Sequence, residues 1–258
     1  MITHKSQKDI ELMHKGGEML DAVLRGVVAK ALPGVFLTDL DAYAHDAILA
    51  KGCKPAFLGL YGFPGTLCLS VNNEVVHGIP RRYALKEGDL LSLDIGLIYE
   101  TWYLDMAVTV PILGSRSYEE WATDDVKGAQ LIHATRSALE AAAKECRPGV
   151  YVGDLGFIIQ EAIRTAGFDV VKDLAGHGIG KKLHEDPLVP NWGKPGTGCR
   201  LKEGMVIAIE PIVVEGSPLV RVLDDGFTYV TKDSRRAAHF EHTVAVMSDG
   251  GLILTKAT

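Results

Sequence analysis

Leu90-Leu91-Ser92-Leu93-Asp94-Ile95-Gly96-Leu97-Ile98-Tyr99-Glu100-Thr101-Trp102-Tyr103-Leu104-Asp105-Met106 consists of two apolar, β-prone runs around a short polar break, and each run carries one carboxylate. The pattern reads as a buried β-hairpin. A turn about Tyr99-Glu100, or a wider loop from Ile98 to Thr101, puts Asp94 directly opposite Asp105. Opposed side chains on neighbouring strands have Cβ atoms roughly 4.5–5.5 Å apart, and like charges placed there destabilise the pair. A positive group is therefore expected between them. Taken alone, the stretch also reads as a half-solvated hairpin with two surface acids.

Working outward, 258 residues suffice for one large domain with a substantial core. A net charge of −6 without a basic tract argues against nucleic acid or an anionic membrane as partner. The N-terminus lacks an apolar signal-like region and no run reaches the roughly 18–20 apolar residues of a membrane span, so a cytoplasmic protein is expected. Cys53, Cys68, Cys146 and Cys199 are scattered without a C-x-x-C pair, which points to buried free thiols rather than disulfides or a zinc cluster.

Apolar positions at helical spacing predict a first helix from Gln7 to Ala31, stopped by Pro33-Gly34. A second, capped by Thr38, is expected from Asp39 to about Lys51. Thr66 to Val71 and the hairpin read as strands. Ser117 to Lys144 reads as one long helix, and 153–166 as another. From Phe168 onward strands and loops dominate, with apolar runs at 205–214, 219–223, 227–231 and 243–247.

The chain also repeats itself. Pro33-Gly34-Val35-Phe36-Leu37-Thr38-Asp39-Leu40 recurs 115 positions later as Pro148-Gly149-Val150-Tyr151-Val152-Gly153-Asp154-Leu155. Leu85-Lys86-Glu87-Gly88-Asp89-Leu90-Leu91-Ser92-Leu93-Asp94 recurs 116 positions later as Leu201-Lys202-Glu203-Gly204-Met205-Val206-Ile207-Ala208-Ile209-Glu210. Asp94 and Glu210 thus hold equivalent places in two related halves, about 1–115 and 116–258, linked near 113–128. A pseudo-two-fold axis would bring both acids to a shared cleft.

Glu210 ends an apolar run and Glu241 begins another, where an ionised carboxylate is costly unless paired or metal-bound. His177 is flanked by Gly176 and Gly178, which allow close backbone approach. Two aspartates, two glutamates and a histidine suit Mn, Fe or Co and accommodate Zn. Four carboxylates exceed the charge of one divalent ion, so two ions roughly 3.5–4 Å apart fit better. Other chemistries lack their signatures. His184-Glu185-Asp186-Pro187 has no second histidine, Gly176-x-Gly178-x-Gly180 is a fragment of a dinucleotide fingerprint, and neither G-x-S-x-G nor a Walker A sequence is present. His45, His133 and His242 carry no functional signal. By itself, His77 after Val75-Val76 reads equally as a half-buried structural histidine.

The ordered set Ser70-Val71-Asn72-Asn73-Glu74-Val75-Val76-His77-Gly78-Ile79-Pro80, Asp94 with Asp105, Gly176-His177-Gly178-Ile179-Gly180, Leu183-His184-Glu185, Ala208-Ile209-Glu210-Pro211 and Phe240-Glu241-His242-Thr243 resembles the bacterial type I methionine aminopeptidases. The resemblance covers nearly the whole chain. It implies an α+β pita-bread (creatinase/aminopeptidase) fold, one catalytic domain over 1–258, with two pseudo-two-fold related halves around a central antiparallel sheet. Asp94, Asp105, His177, Glu210 and Glu241 would hold two divalent ions (Co, Mn, Fe or Zn), with Asp105 and Glu241 bridging. His77 and His184 would contact the scissile bond, and Glu210 would act as general base. Phe57, Leu60, Phe63, Cys68 and Phe227 would form an apolar methionine slot, or else simply be core.

The implied activity is removal of the N-terminal methionine from peptides and nascent chains, by a monomer in transient contact with the ribosome. Leu60 and Phe227 stand where many relatives carry Tyr and Trp, Tyr103-Leu104-Asp105 replaces a frequent His-Gly-Asp, and His239 replaces a frequent glutamine. Two rivals are a proline-directed aminopeptidase or dipeptidase of the same fold and a metal-free peptide-binding module. The first usually carries an extra N-terminal domain, which a first helix beginning within about ten residues does not suggest. The second would be expected to lose ligands, and none is missing. The short spacing of His177, Glu210 and Glu241 leaves no room for the helical insertion of type II relatives.

Overall fold

The structure, a computed structural model, describes residues 2–256. Helix α1 (Gln7–Lys30) is capped by Ser6, whose hydroxyl accepts the Asp9 N–H while the Asp9 carboxylate accepts the Ser6 N–H. Helix α2 (Leu37–Ala50) follows, and then β1 (Lys54–Pro55), a 3₁₀ turn (Leu60–Gly62), β2 (Leu67–Val71), β3 (Glu74–Val76), β4 (Leu90–Tyr99) and β5 (Trp102–Pro111). Helices α3 (Tyr118–Asp124), α4 (Val126–Lys144) and α5 (Val152–Thr165) open the second half. They lead into β6 (Asp169–Val170), β7 (Ala175–Gly178), β8 (Glu185–Pro190), β9 (Val206–Ile209), β10 (Ile212–Val214), β11 (Val220–Val222), β12 (Tyr229–Thr231), β13 (Ala237–His239), β14 (Glu241–Met247) and β15 (Gly250–Ile253).

The central sheet is antiparallel and runs β1-β4-β5-β14-β9-β7-β8, with β2 on β4 and β15 on β14. Because side chains alternate across a strand, each strand splits its residues between the two faces. Leu93, Ile95, Leu97, Leu104 and Met106 pack in a core shared with Met13, Leu20 and Val27 of α1 and Leu40 of α2. Ile207, Ile209, Val244 and Val246 pack in a second core with Leu131, Leu139 and Ile159 of α4 and α5. The helices thus cover one sheet face and leave the other to the acids.

The halves share backbone devices at the repeat spacing. Isolated bridges join Phe36 to Ala84 and Tyr151 to Arg200. The Leu85 N–H donates to Val35 O at 2.9 Å, and the Leu201 N–H to Val150 O at 2.7 Å. Gly34 and Gly149 both take a left-handed φ, 87° and 95°. Two related halves around an antiparallel sheet, as the repeat leads one to expect, are thereby present in the backbone.

Three local expectations are corrected. The hairpin turns at Glu100-Thr101, with Glu100 at φ 55°, so Gly96 faces Asp105 and Asp94 faces Ala107. The acids share a face but stand diagonally. Each thereby has a small partner in place of a second charge. Thr38 does not cap α2; it lies inside the first turn, and the extended residue before the helix is Phe36, which makes no side-chain cap. The long helix from 117 breaks at Asp125 (φ −116°, ψ 65°), whose Oδ1 accepts the Gly128 N–H to cap α4 and is held by the Arg236 guanidinium at 2.9 Å. The four cysteines are free thiols, as expected. No helix among the described residues is long and apolar enough to cross a membrane.

Gly17 tests how closely α1 docks on this sheet, since a Cβ there would stand 1.9 Å from the Leu254 carbonyl oxygen. Helix propensity alone favours Gly17→Ala by about 1 kcal/mol. Overpacking is expected to reverse the sign, with a net loss of roughly 1–3 kcal/mol in urea unfolding. A raised unfolding midpoint would contradict the close docking.

Candidate metal centre

Direct strand register builds the site in two adjoining rows on the open face. In one row Cys68 pairs with Asp94, Asp94 with Ala107, and Ala107 with Glu241. The β14·β9 register, His242 to Ile209, carries the row one step further to Glu210. In the next row Gly96 pairs with Asp105 and Thr243 with Ala208. The Asp105 N–H donates to Thr243 Oγ1 at 3.0 Å, and that hydroxyl donates to the Asp105 carbonyl at 2.9 Å. His177 enters beside Ala208, because the residue after it, Gly178, pairs with Ile207. Ala107 and Ala208 keep the space between the acids clear, and Gly96 makes room for Phe57, whose ring would lie 2.6 Å from a Cβ there.

The glycines around His177 are required by contact. A Cβ on Gly176 would lie 2.3 Å from the Ala208 carbonyl, and one on Gly178 would lie 2.0 Å from the Asp186 carbonyl. Only bare backbone lets β7 fit between β8 and β9. The His177 Nδ1–H donates to the Gly178 carbonyl at 3.0 Å, because a carbonyl can only accept. That bond fixes the tautomer and leaves Nε2 as an electron-pair donor, 3.8 Å from Glu210 Oε1.

Asp94, Asp105 and Glu241 are buried, and Glu210 sits at the edge with a side chain 13% exposed. Asp94 Oδ1, Asp105 Oδ1, Glu241 Oε1 and His239 Nε2 have no hydrogen-bond partner among the described residues. Within that set the only bases at ion-pair distance from these acids are His177 and His239. Burial pushes the Asp94 carboxyl up to about 7, partly opposed by hydrogen bonds from Asp105 and Cys68. Asp105, Glu210 and Glu241 are raised well above the carboxylate range by burial and then by one another's charge. Burial also drives His177 down to about 4 and His239 to about 3, so neither imidazole supplies a positive charge.

Orphaned oxygens without a protein cation are the donor set of a divalent metal site. Ligand atoms of Asp105, His177 and Glu241 lie within 4.8 Å of one another, as do those of Glu210, His239 and Glu241. Glu241 belongs to both groups. All five acids and histidines expected from the sequence converge here, with Asp94 diagonal to Asp105.

The two mouth histidines are solvent-exposed. His184 stands edge-on to His177, ring centroids 4.5 Å apart, and parallel to the Tyr61 ring at 6.0 Å. It precedes β8, whose first residue, Glu185, accepts the Lys181 and Lys182 N–H groups and pairs with buried Lys5 at 3.2 Å. His77 takes a left-handed φ of 57° and packs edge-on against Tyr229. Phe57, Leu60, Phe63, Cys68 and Phe227 line the same cavity as the acids. Burial and the neighbouring carboxylates hold the Cys68 thiol protonated.

Four cavity residues, Tyr61, Val76, Leu183 and His239, are absent from the sequence-derived set. Tyr61, exposed and at φ 51°, carries no motif that would have singled it out. His239 is marked only by the strand pairings. Continuing the internal repeat through the second strand of each half puts it in the place of Asp105.

The metallopeptidase family M24 model matches residues 11–248. Methionine aminopeptidase of Clostridium perfringens is 43% identical over 255 residues, covering 99% of both chains. Methionine aminopeptidase 1 of Bacillus subtilis is 39% identical, covering 99% of this chain and all of its own. The crystal structure of methionine aminopeptidase from Thermotoga maritima superposes with a TM-score of 0.93 at 43% identity, with complete coverage of both chains. The prolidase of Pyrococcus horikoshii, at 22% identity and TM-score 0.76, shares the fold.

Raised carboxyl pKa values give a signed prediction. A carboxyl whose folded pKa lies above its unfolded value stabilises the fold at low pH, and that contribution is lost as pH rises through the folded pKa. Between about pH 4 and 6.5 the imidazoles of His77, His177, His239 and His242, held neutral by desolvation, act with the opposite sign, so the metal-free chain is expected to lose thermal stability as pH rises above about 6.5, and Mn or Co at about pH 7 to restore it with release of protons. Calorimetry in two buffers of different ionisation enthalpy measures the release. Binding without proton release would contradict the geometry.

Proposed function

The chain belongs to metallopeptidase family M24, and from that premise we propose that it is a methionine aminopeptidase, hydrolysing the first peptide bond after an N-terminal methionine with two divalent ions. The observation that carries the reading is the pair of donor groups sharing Glu241 on one sheet face, in a chain that matches methionine aminopeptidases over its full length. Asp94, Asp105, His177, Glu210 and Glu241 would hold the ions. When bound, such ions lower the pKa of a water toward neutrality and polarise a carbonyl.

The chain's own groups do the rest. Glu210, at the edge of the buried row and lining the cavity, serves as general base, passing the proton to the leaving amine. His184 donates to the scissile carbonyl oxygen and stabilises the developing oxyanion, and His77 hydrogen-bonds the scissile nitrogen. Phe57, Leu60, Phe63, Cys68 and Phe227 give the cavity an apolar wall that accepts an unbranched thioether side chain. Binding of the free α-amino group beside the carboxylates limits cleavage to the first residue. Residues 1–258 act as one catalytic unit, a monomer in the cytoplasm that meets nascent chains by transient ribosome contact.

A Met-Ala-Ser peptide is expected to release methionine with Mn or Co added, and a Xaa-Pro peptide to remain uncut. The reverse preference would favour the proline-directed rival, and no turnover with any metal the peptide-binding module. Asp105→Ala is expected to abolish activity and metal retention. His184→Ala is expected to retain metal and lose kcat by roughly 10²–10³-fold; an unchanged kcat would remove His184 from the oxyanion role.

A further inference from the structure

The repeat that carries Asp94 onto Glu210 carries Gly96 onto Ile212. Gly96 pairs with Asp105, and Ile212 pairs with His239. His239 is therefore the counterpart of Asp105 in the second half. A reciprocal threonine clasp marks the same equivalence. Thr243 Oγ1 accepts the Asp105 N–H at 3.0 Å and donates to its carbonyl at 2.9 Å. Thr109 Oγ1 accepts the His239 N–H at 2.8 Å and donates to its carbonyl at 2.9 Å. Each half fixes the other's residue by the same two hydrogen bonds.

The His239 side chain is 97% buried, and its Nε2 has no hydrogen-bond partner among the described residues. It lies 3.6 Å from Glu210 Oε2 and 3.7 Å from Glu241 Oε2. Those separations are too long for an N–H···O bond, which spans about 2.7–3.2 Å. They match two donors on one ion, because atoms each about 2.0–2.2 Å from a metal at tetrahedral or trigonal angles stand roughly 3–4 Å apart. Glu210, His239 and Glu241 form a compact donor group that overlaps the Asp105, His177 and Glu241 group at Glu241, and Glu210 Oε1 also lies 3.8 Å from His177 Nε2.

The geometry points to His239 as a sixth protein ligand, so that two imidazoles, His177 and His239, join the four carboxylates at the metal centre. This rests on the two-ion reading of the proposed function and adds a residue to it. A second imidazole makes the site softer than four carboxylates and one histidine, and shifts its preference toward Zn and Co over Mn. A glutamine at this place could offer only an amide oxygen or N–H, so His239→Gln is the conservative test.

Zinc-edge X-ray absorption of the zinc-loaded full chain counts imidazoles without any variant. Two per chain are expected in the wild type and one in His239→Gln. Chelator competition is expected to show that substitution weakening one bound zinc at least about tenfold, the lower bound of what losing even an outer partner of a ligand costs. A single imidazole in the wild type, or equal zinc affinity in the two proteins, would overturn the assignment even if Met-Ala-Ser is cleaved. Two imidazoles without cleavage of any peptide would uphold it and remove the proposed function instead.

Discussion

Four carboxylates share one face of a sheet with no lysine or arginine among them, and this electrostatic deficit organises the molecule. Withdrawing a carboxylate from water costs several kcal/mol even after relaxation, and here the acids sit in adjoining positions of two neighbouring rows. The surrounding sequence keeps the space between them open. Alanine at 107 and 208 occupies intervening positions, and glycines at 176 and 178 let β7 pass between its neighbours. The opposite sheet face is packed with aliphatic side chains against α1 and α4, so the strands cannot relax away from the charge.

The scaffold is nearly symmetric and the site is not. Ala107 and Glu241 face each other at the centre and occupy equivalent positions, yet only one is an acid. Asp105 and His239 are counterparts, as are Asp94 and Glu210. A duplicated frame with divergent side chains yields two unlike donor groups joined through Glu241. Exposure divides the labour: buried groups hold charge, while His77 and His184 stand at the mouth, where a peptide would arrive.

Much of this was legible in the sequence because acids within apolar runs are conspicuous, and because a repeat with two glycine-bearing landmarks survives divergence. The convergence of Asp94, Asp105, His177, Glu210 and Glu241 followed from those features and from the family resemblance. The hairpin register did not, since a left-handed Glu100 moves the turn by one residue and nothing in Tyr-Glu-Thr announces it. The break at Asp125 depends on Arg236, more than a hundred residues away, which no local pattern encodes. Tyr61 becomes notable only through its backbone conformation and its place beside His184. His239 becomes the counterpart of Asp105 only through the strand pairings, because the spacing between equivalent residues grows from 116 for Asp94 and Glu210 to 134 for Asp105 and His239.

Diffraction from crystals grown with Co and measured at its absorption edge tests the central claim most directly. The account predicts two anomalous peaks inside the carboxylate rows, with His177 and His239 both at ligand distance from a peak. Carboxyl groups protonated and hydrogen-bonded to one another, with no density between them, would contradict it.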